Sequence, residues 1–262
     1  MKTLSTDRLI FAKANAKLRK LADNPAMAQW LEHGRKVYSL DLLAGHSCPF
    51  ADACLAKVIL DEATGKKRID EPVKDDESFR CFSATEEAVF PATYRNRKHN
   101  FDLLRQARYI DSMHSLLEHS MPEDLGILRI HSSGDCFNAN YFKALCYLAW
   151  NHPLQLFYGY TKSLKYLVEF KALIPNNLVW TASYGGKLDS MIEEHALRFA
   201  KVIFHPSEAN GLEIDHDDSH AALPSLRDKS FALLIHGHQQ KGSKAAKALK
   251  TLKLEKIEYA YR

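Results

Sequence analysis

The segment Ile127-Leu-Arg-Ile-His131-Ser-Ser-Gly134-Asp135 is a short β-rich run that ends in small and polar residues. Four similar runs follow it, and amphipathic helical stretches such as Ala139–Asn151 and Lys165–Leu173 lie between most of them. The runs start about 23 to 30 residues apart, which is the spacing of βα units. This pattern predicts a parallel sheet flanked by helices. The predicted strands are Ile127–His131, Gln155–Tyr160, Leu178–Ala182, Lys201–His205 and Phe231–His236.

The N-terminal part of the chain lacks this regularity. Residues 3–33 have a helical composition, and residues 84–120 are predicted to be helical with a basic face, whereas the charged stretch 61–79 is predicted to be irregular. We therefore expect an α/β protein in a single domain, residues 1–262. A helical and irregular cysteine-bearing half, 1–120, precedes a repeated βα half, 121–262, which forms a partial (βα) barrel-like parallel sheet and ends in a basic helix.

The composition is that of a soluble globular protein, with 262 residues, 46% hydrophobic and 26% charged. No apolar run of about 18 residues is present, so a membrane partner is not expected. The polar N-terminus lacks a signal-peptide core, which predicts a cytoplasmic protein with reduced thiols. The net charge of +4 arises mainly from six lysines in residues 241–262. These lysines form either a solvated helix or a nucleic-acid contact surface, and the sequence does not indicate the oligomeric state.

Small and polar residues follow each of the five predicted strands. Because functional groups gather at the carboxyl ends of parallel strands, we expect these residues to line a pocket there. Asp135, Lys162 and His236 are the candidate catalytic residues of this set. The candidates for contacts to a bound cofactor are Ser133, Gly134, Ser183, Gly185 and Gly186.

Five cysteines are spread along the chain. Cys48 and Cys54 are separated by five residues, Cys81 follows them, and Cys136 comes directly after the first strand of the repeat. Cys146 lies inside the predicted helix 139–151 and is expected to be a packing thiol. Thiolates from separate loops hold either zinc or an iron–sulfur cluster, and unconnected cysteines are the alternative. Zinc knuckles of the Cys-x2-Cys type are absent, as is the Cys-x3-Cys-x2-Cys loop of radical S-adenosylmethionine enzymes.

Three thiolates on a four-iron cluster would leave one iron open to substrate, cofactor or a further ligand. Cys136 is the candidate fourth ligand, because it would sit where the strands end. A second polar cluster, residues 215–220, contains His216 and Asp218. These two residues are candidates for acid–base chemistry, and the alternatives for the segment are metal binding or a charged loop with a helix cap.

Several motifs make the chain resemble the phage "gene product 88" domain family over roughly residues 30–250. They are Ala44-Gly45-His46-Ser47-Cys48-Pro49-Phe50-Ala51 with Cys54, Arg80-Cys81-Phe82-Ser83-Ala84, Arg95 to Asn100, Arg129 to Asp135, Phe157 to Leu164, Thr181 to Gly186, Ile214 to Ala221, and His236-Gly237 with Gln239 and Gly242-Ser243. The family is similar to proteins with a radical-enzyme-like barrel and a cysteine-rich front end, which implies an iron–sulfur cluster. The resemblance makes Cys48, Cys54 and Cys81 the core ligand set. Relatives tend to carry an aromatic residue where this chain has Cys136, so a fourth ligand would be an addition.

Three functions follow from these observations. The first is a redox or radical-type enzyme with a [4Fe–4S] cluster, S-adenosylmethionine as a candidate second cofactor, and a small-molecule or nucleic-acid substrate. The second is a non-catalytic protein. Its cluster stabilises the fold, and its basic segments bind nucleic acid or a phage or host partner. The third is a zinc-dependent hydrolase, whose site would combine cysteines with His216 or His220.

Overall fold

The computed structural model describes residues 8–71 and 78–258, and its centre is one large sheet. The strands are β1 (Phe11–Lys13), β2 (Lys36–Leu40), β3 (Lys57–Leu60), β4 (Lys67–Asp70), β5 (Leu125–Ile130), β6 (Leu156–Thr161), β7 (Leu178–Ser183), β8 (Phe199–Ile203), β9 (Glu213–Ile214) and β10 (Phe231–Leu234). Eight of them form a sheet in the order β1-β2-β5-β6-β7-β8-β10-β9, and β3 pairs with β4 in a separate hairpin. All pairings in the large sheet are parallel except that of β1 with β2.

Helices cover both faces of this sheet, which stays open with β1 and β9 at its edges. The helices are α1 (Ala16–Asp23), α2 (Ala28–Leu31), α3 (Phe82–Val89), α4 (Pro91–Ala107), α5 (Ile110–Ser120), α6 (Ala139–Asn151), α7 (Leu164–Glu169), α8 (Ser190–Glu194), α9 (Ser219–Ala222) and α10 (Lys244–Leu254). The α/β architecture and its parallel sheet are therefore confirmed. Among the described residues, no helix is both long enough and apolar enough to cross a membrane.

Alternation along the strands builds two separate cores. Leu128 and Phe157 pack with α5, α6 and α7 on one face, whereas their neighbours Ile127 and Tyr158 pack with α1 and α9 on the other. Successive side chains of a strand point to opposite faces, so a strand covered on both sides is apolar throughout. All six residues of β5 are buried for this reason.

The predicted repeat agrees closely with the structure. Each of the five predicted strands overlaps an observed parallel strand and differs from it by one or two residues at the ends. Helix α6 has the predicted bounds, and its start is set by Asn138, whose side chain accepts a hydrogen bond from the Tyr141 N–H. The basic C-terminal helix is also present as α10.

Two N-terminal predictions are wrong. Residues 3–7 of the predicted helical stretch 3–33 lie outside the described residues, and residues 8–33 do not form one helical segment. Strand β1 precedes α1, and α1 ends at Asp23 because Asn24 stands before Pro25, which disfavours helical backbone. The stretch 61–79 is not wholly irregular, since Lys67–Asp70 pairs with Lys57–Leu60. Part of that stretch, 72–77, lies outside the described residues. The N-terminal part also contributes β1 and β2 to the large sheet.

Candidate active site

A cavity of about 180 Å³ opens at the carboxyl edge of the parallel sheet. Cys48, Cys54 and Cys81 all line it. They share the cavity with residues at or just after the carboxyl ends of β5, β6, β7 and β10, namely Ser133, Gly134, Asp135, Lys162, Ser183 and His236. The structure thus brings the three cysteines and the strand-end residues into one site.

The first two cysteines are presented by a loop that docks on the end of β7. The Gly185 carbonyl accepts hydrogen bonds from the N–H groups of Asp52 (3.1 Å) and Ala53 (2.9 Å). Ala51 forms a bridge with Gly186. Gly185 has φ +89°, and a Cβ there would stand 3.0 Å from the Ala53 Cβ. The glycine pair therefore positions the cysteine loop, and its contact with a cofactor stays a prediction.

The third cysteine lies at the start of α3 and is fixed from the far end of the sheet. Gln239, after β10, accepts a hydrogen bond from the Arg80 N–H and donates one to the Arg80 carbonyl. Its neighbour Cys81 is consequently held against the carboxyl edge of the sheet. Gln239 was predicted to follow the last strand, but its contact with the Cys81 segment is visible only in the structure.

Burial keeps the thiols of Cys48 and Cys81 protonated in the absence of a cation. It raises the pKa of Cys81 to about 11, and the neighbouring Cys54 adds to the effect. Burial also raises the pKa of Cys48 well above its ordinary value, with further contributions from Asp135, Cys81 and Cys54. A bound positive centre would reverse this balance, because thiolates are the form that ligates metals.

The three thiols are spaced more widely than one zinc ion requires. Zinc–sulfur bonds of about 2.3 Å in a tetrahedron place the sulfurs about 4 Å apart. In the part of the chain that the structure describes, the potential ligand atoms that all lie within 4.8 Å of one another belong to His131, Asp135 and Cys136. Cys48, Cys54 and Cys81 are not among the described residues that form such a compact group.

A buried carboxylate that the sequence did not reveal ties the site together. Glu87 on α3 accepts hydrogen bonds from the Ala44 N–H (2.9 Å), the Ser133 hydroxyl (3.2 Å) and Arg97 (3.3 Å). These groups belong to the segments before Cys48 and after β5 and to helix α4. Arg97 was expected on an exposed basic face, but it is 6% exposed and also donates to the Ser83 carbonyl.

Asp135 and Lys162, both predicted, cross-link the ends of three strands. The Asp135 carboxylate accepts hydrogen bonds from the Thr161 hydroxyl (2.6 Å) and the Lys162 N–H (2.8 Å). The Lys162 Nζ donates to the Ser183 hydroxyl (2.8 Å) and to the Tyr184 carbonyl (2.5 Å). Burial raises the pKa of Asp135. The site therefore holds a carboxyl and an ammonium group in fixed positions.

Two imidazoles in the cavity wall are neutral near neutral pH. Burial lowers the pKa of His236 to about 3, and the nearby Lys17 and Arg129 contribute. The His236 ring packs on Phe82, with 4.7 Å between ring centroids. Burial likewise lowers the pKa of His131 to about 3. His131 was not predicted as a site residue, although its place at the end of the first strand was a signal for it.

Asp218 lies behind the cavity as a counter-ion. Its carboxylate pairs with Lys17 and Arg129, which both line the cavity, and accepts hydrogen bonds from Tyr158 and Tyr160. Burial alone would raise the pKa of Asp218, but Arg129 and Lys17 lower it to about 2. The predicted acid–base role at the cavity surface does not fit this burial. Lys17 is a wall residue that the sequence did not indicate.

The remaining predicted residues stand apart from the cavity. His216 is exposed and does not line it. His220 contacts Glu213 at 2.7 Å, so neither histidine joins the cysteines as the zinc hypothesis requires. Cys136 is fully buried and is not part of the cavity wall. Cys146 is fully buried within α6, as expected of a packing thiol.

Fold and site together define an α/β protein with a three-cysteine cavity at the carboxyl edge of an open parallel sheet. The family model described as Gene product 88 matches residues 9–253. The chain belongs to this phage family, as the sequence motifs predicted. No curated protein and no solved structure shows a significant match to the chain.

Proposed function

We propose that this protein binds a [4Fe–4S] cluster through Cys48, Cys54 and Cys81 and acts as a redox or radical-type enzyme. One observation carries the proposal: three cysteines from two separate segments line a single cavity together with Asp135, Lys162 and His236. Three thiolate ligands would leave one iron of such a cluster without a cysteine ligand. Cys136 is not needed for this arrangement, since it lies outside the cavity wall.

The donor set supports a cluster over a single zinc ion. Iron–sulfur clusters are held by cysteine thiolates, each on its own iron, so their sulfurs lie farther apart than four ligands around one ion. The sulfurs of Cys48, Cys54 and Cys81 do not form a described group in which all ligand atoms lie within 4.8 Å of one another. Reduced thiols also require a reducing compartment, so we propose the cytoplasm of the host cell as the location.

When bound, the cluster would supply one-electron transfer and an open iron that a ligand can occupy. The chain's own residues would bind and orient that ligand. Lys162 offers a fixed positive charge held by Ser183 and Tyr184, and Asp135 offers a carboxyl group. His236 presents a neutral imidazole. Such a wall suits a small polar molecule, and S-adenosylmethionine is the candidate cofactor to test.

The first test is purification without oxygen, followed by visible absorption and counts of iron and sulfide. We expect a broad band near about 400 nm, typical of four-iron thiolate clusters, and about four irons per chain. Cys48→Ala, Cys54→Ala and Cys81→Ala should each lose the band. Cys146→Ala is the matched control because this thiol is buried outside the cavity, and Cys136→Ala should keep the cluster. Wild-type protein free of iron and sulfide would overturn the proposal.

The non-catalytic alternative is supported by α10. Lys247, Lys250 and Lys253 are exposed on this helix, as a surface that follows a nucleic-acid backbone requires. That version predicts DNA or RNA binding that weakens steeply with salt and is reduced when the three lysines are changed to Gln. It also predicts a cluster spectrum that does not respond to added S-adenosylmethionine. A spectral response without nucleic-acid binding would favour the enzyme.

A further inference from the structure

A second potential ligand group lies directly beside the cysteine cavity. One ligand atom each from His131, Asp135 and Cys136 can be chosen so that all three lie within 4.8 Å of one another, and all three residues are buried. The residues come from a single turn after β5. His131 and Asp135 also line the cavity, so the group is in contact with the same space.

These side chains have unused lone pairs. The His131 Nδ1 is buried without a hydrogen-bond partner, whereas its Nε2 lies 3.0 Å from the Tyr141 hydroxyl. Metal-binding histidines commonly have their second ring nitrogen fixed in this way. The Asp135 Oδ2 accepts one hydrogen bond, from the Lys162 N–H, which leaves it one lone pair.

The backbone of the turn is tightly constrained. His131 has φ +64°, a left-handed conformation that is uncommon outside glycine. Gly134 has φ +93°, and a Cβ there would stand 2.6 Å from the Ser47 hydroxyl oxygen and 2.7 Å from the Leu42 Cβ. Strained backbone persists where the surrounding structure imposes it, often at binding sites. Here it folds the chain so that residue 131 faces residues 135 and 136.

We propose that His131, Asp135 and Cys136 bind one divalent metal ion of the zinc or iron(II) type, separate from the cluster of the proposed function. Nitrogen, oxygen and thiolate donors together suit these ions better than magnesium or calcium. Three protein ligands leave a fourth position, and the cavity is where a ligand would reach it. In this assignment Cys136 ligates the second metal ion together with His131 and Asp135, and the proposed cluster keeps three cysteine ligands.

Cobalt(II) is the probe, because thiolate ligation gives it an intense charge-transfer absorption. The Cys48→Ala/Cys54→Ala/Cys81→Ala variant lacks the cluster ligands, and after chelation it should bind one cobalt per chain with that absorption. Adding Cys136→Ala should abolish the charge-transfer band, and adding His131→Phe should weaken cobalt binding at least tenfold. Adding Cys146→Ala should change neither. A triple variant without thiolate-ligated cobalt, or equal effects of Cys136→Ala and Cys146→Ala, would overturn the proposal.

If the triple variant does not fold, zinc bound by the iron-loaded wild-type chain replaces the measurement. We then expect one zinc per chain beyond the iron, lost in Cys136→Ala and kept in Cys146→Ala, and equal zinc in both variants would contradict the site. The two proposals fail separately. If the wild-type protein contains no iron but the triple variant binds cobalt, only the cluster proposal is wrong. If the protein contains the cluster but has no cobalt or zinc site, only the second-metal proposal is wrong.

Discussion

The Gln239 side chain forms hydrogen bonds with both backbone groups of Arg80. The Gln239 Oε1 accepts a hydrogen bond from the Arg80 N–H at 2.7 Å, and the Nε2 donates to the Arg80 carbonyl at 3.1 Å. The two residues are 159 positions apart in the chain. This pairing connects the end of the last parallel strand to the residue that precedes Cys81, so the position of the third cysteine depends on the completed sheet.

Gln239→Ala should therefore loosen the third cysteine. The two hydrogen bonds to Arg80 and a third to the His236 carbonyl are lost, and each contributes about 0.5–1.5 kcal/mol to the free energy of unfolding. We expect the variant to lose its iron faster than the wild type when a chelator is added, as followed by visible absorption. Gln240→Ala is the control, because Gln240 is exposed. Equal rates of iron loss in the two variants would show that the Arg80 contact does not hold the site.

Gly185→Ala should displace the loop that carries Cys48 and Cys54. An alanine there has both an unfavourable φ of +89° and a Cβ 3.0 Å from the Ala53 Cβ. Gly211→Ala separates the two effects, since Gly211 has φ +87° but no atom within 4 Å of an added Cβ. The crowded contact should cost about 1–3 kcal/mol beyond the loss in the control.

The measurements that compare Gly185→Ala with Gly211→Ala are urea unfolding and iron content under anaerobic conditions. We expect Gly185→Ala to have lower values of both than Gly211→Ala. The reverse order would mean that the loop does not depend on its close approach to the end of β7.

Glu87→Met should destabilise the whole site region. The change removes the acceptor of the Ala44 N–H and the Ser133 hydroxyl, and each buried group left without a partner costs about 1–3 kcal/mol. Glu86→Met is the control: Glu86 also pairs with Arg97, but its side chain is 42% exposed, and exposed pairs contribute about 1 kcal/mol or less. Urea unfolding should separate the two variants by at least about 2 kcal/mol. Equal urea midpoints for Glu87→Met and Glu86→Met would show that Glu87 does not stabilise the site.

Asp218→Asn should remove the carboxylate charge with which the buried Lys17 and Arg129 pair. Breaking a buried pair in this way costs about 3–5 kcal/mol. Asp228→Asn, at an exposed carboxylate, should have little effect. The measurement is the free energy of unfolding of both variants and the wild type at pH 7.

The contribution of Asp218 should also depend on pH. Because Lys17 and Arg129 lower the pKa of Asp218 to about 2 despite its burial, the stabilisation is fully present above the unfolded-state pKa of about 3.9. It is lost as the pH falls from there through about 2. Tyr158 and Tyr160 also donate to this carboxylate and stay protonated over that range. The difference in unfolding free energy between wild type and Asp218→Asn should therefore shrink below pH 4. A constant difference would contradict a charged Asp218.

Local sequence patterns predicted much of the fold. The strands β5, β6, β7, β8 and β10 and helix α6 were recognisable because period and turn residues are properties of short segments. Strands β1, β3, β4 and β9 were missed, since they have two to four residues and are stabilised mainly by their neighbours. His216 and Asp218 look alike in sequence, yet one is exposed and the other fully buried.

The sequence by itself determined the order of strands and helices in the repeated βα half, the polar residues at the strand ends and the positions of Cys48, Cys54 and Cys81 ahead of it. Only the tertiary structure decided that Cys48 and Cys54 meet Cys81 in one cavity, that Glu87 and Arg97 are buried behind it, and that Gly185 docks a loop. The physical reason is that the periodicity of apolar residues is a property of short segments. Burial and charge pairing depend instead on contacts between distant segments, such as that of Gln239 with Arg80.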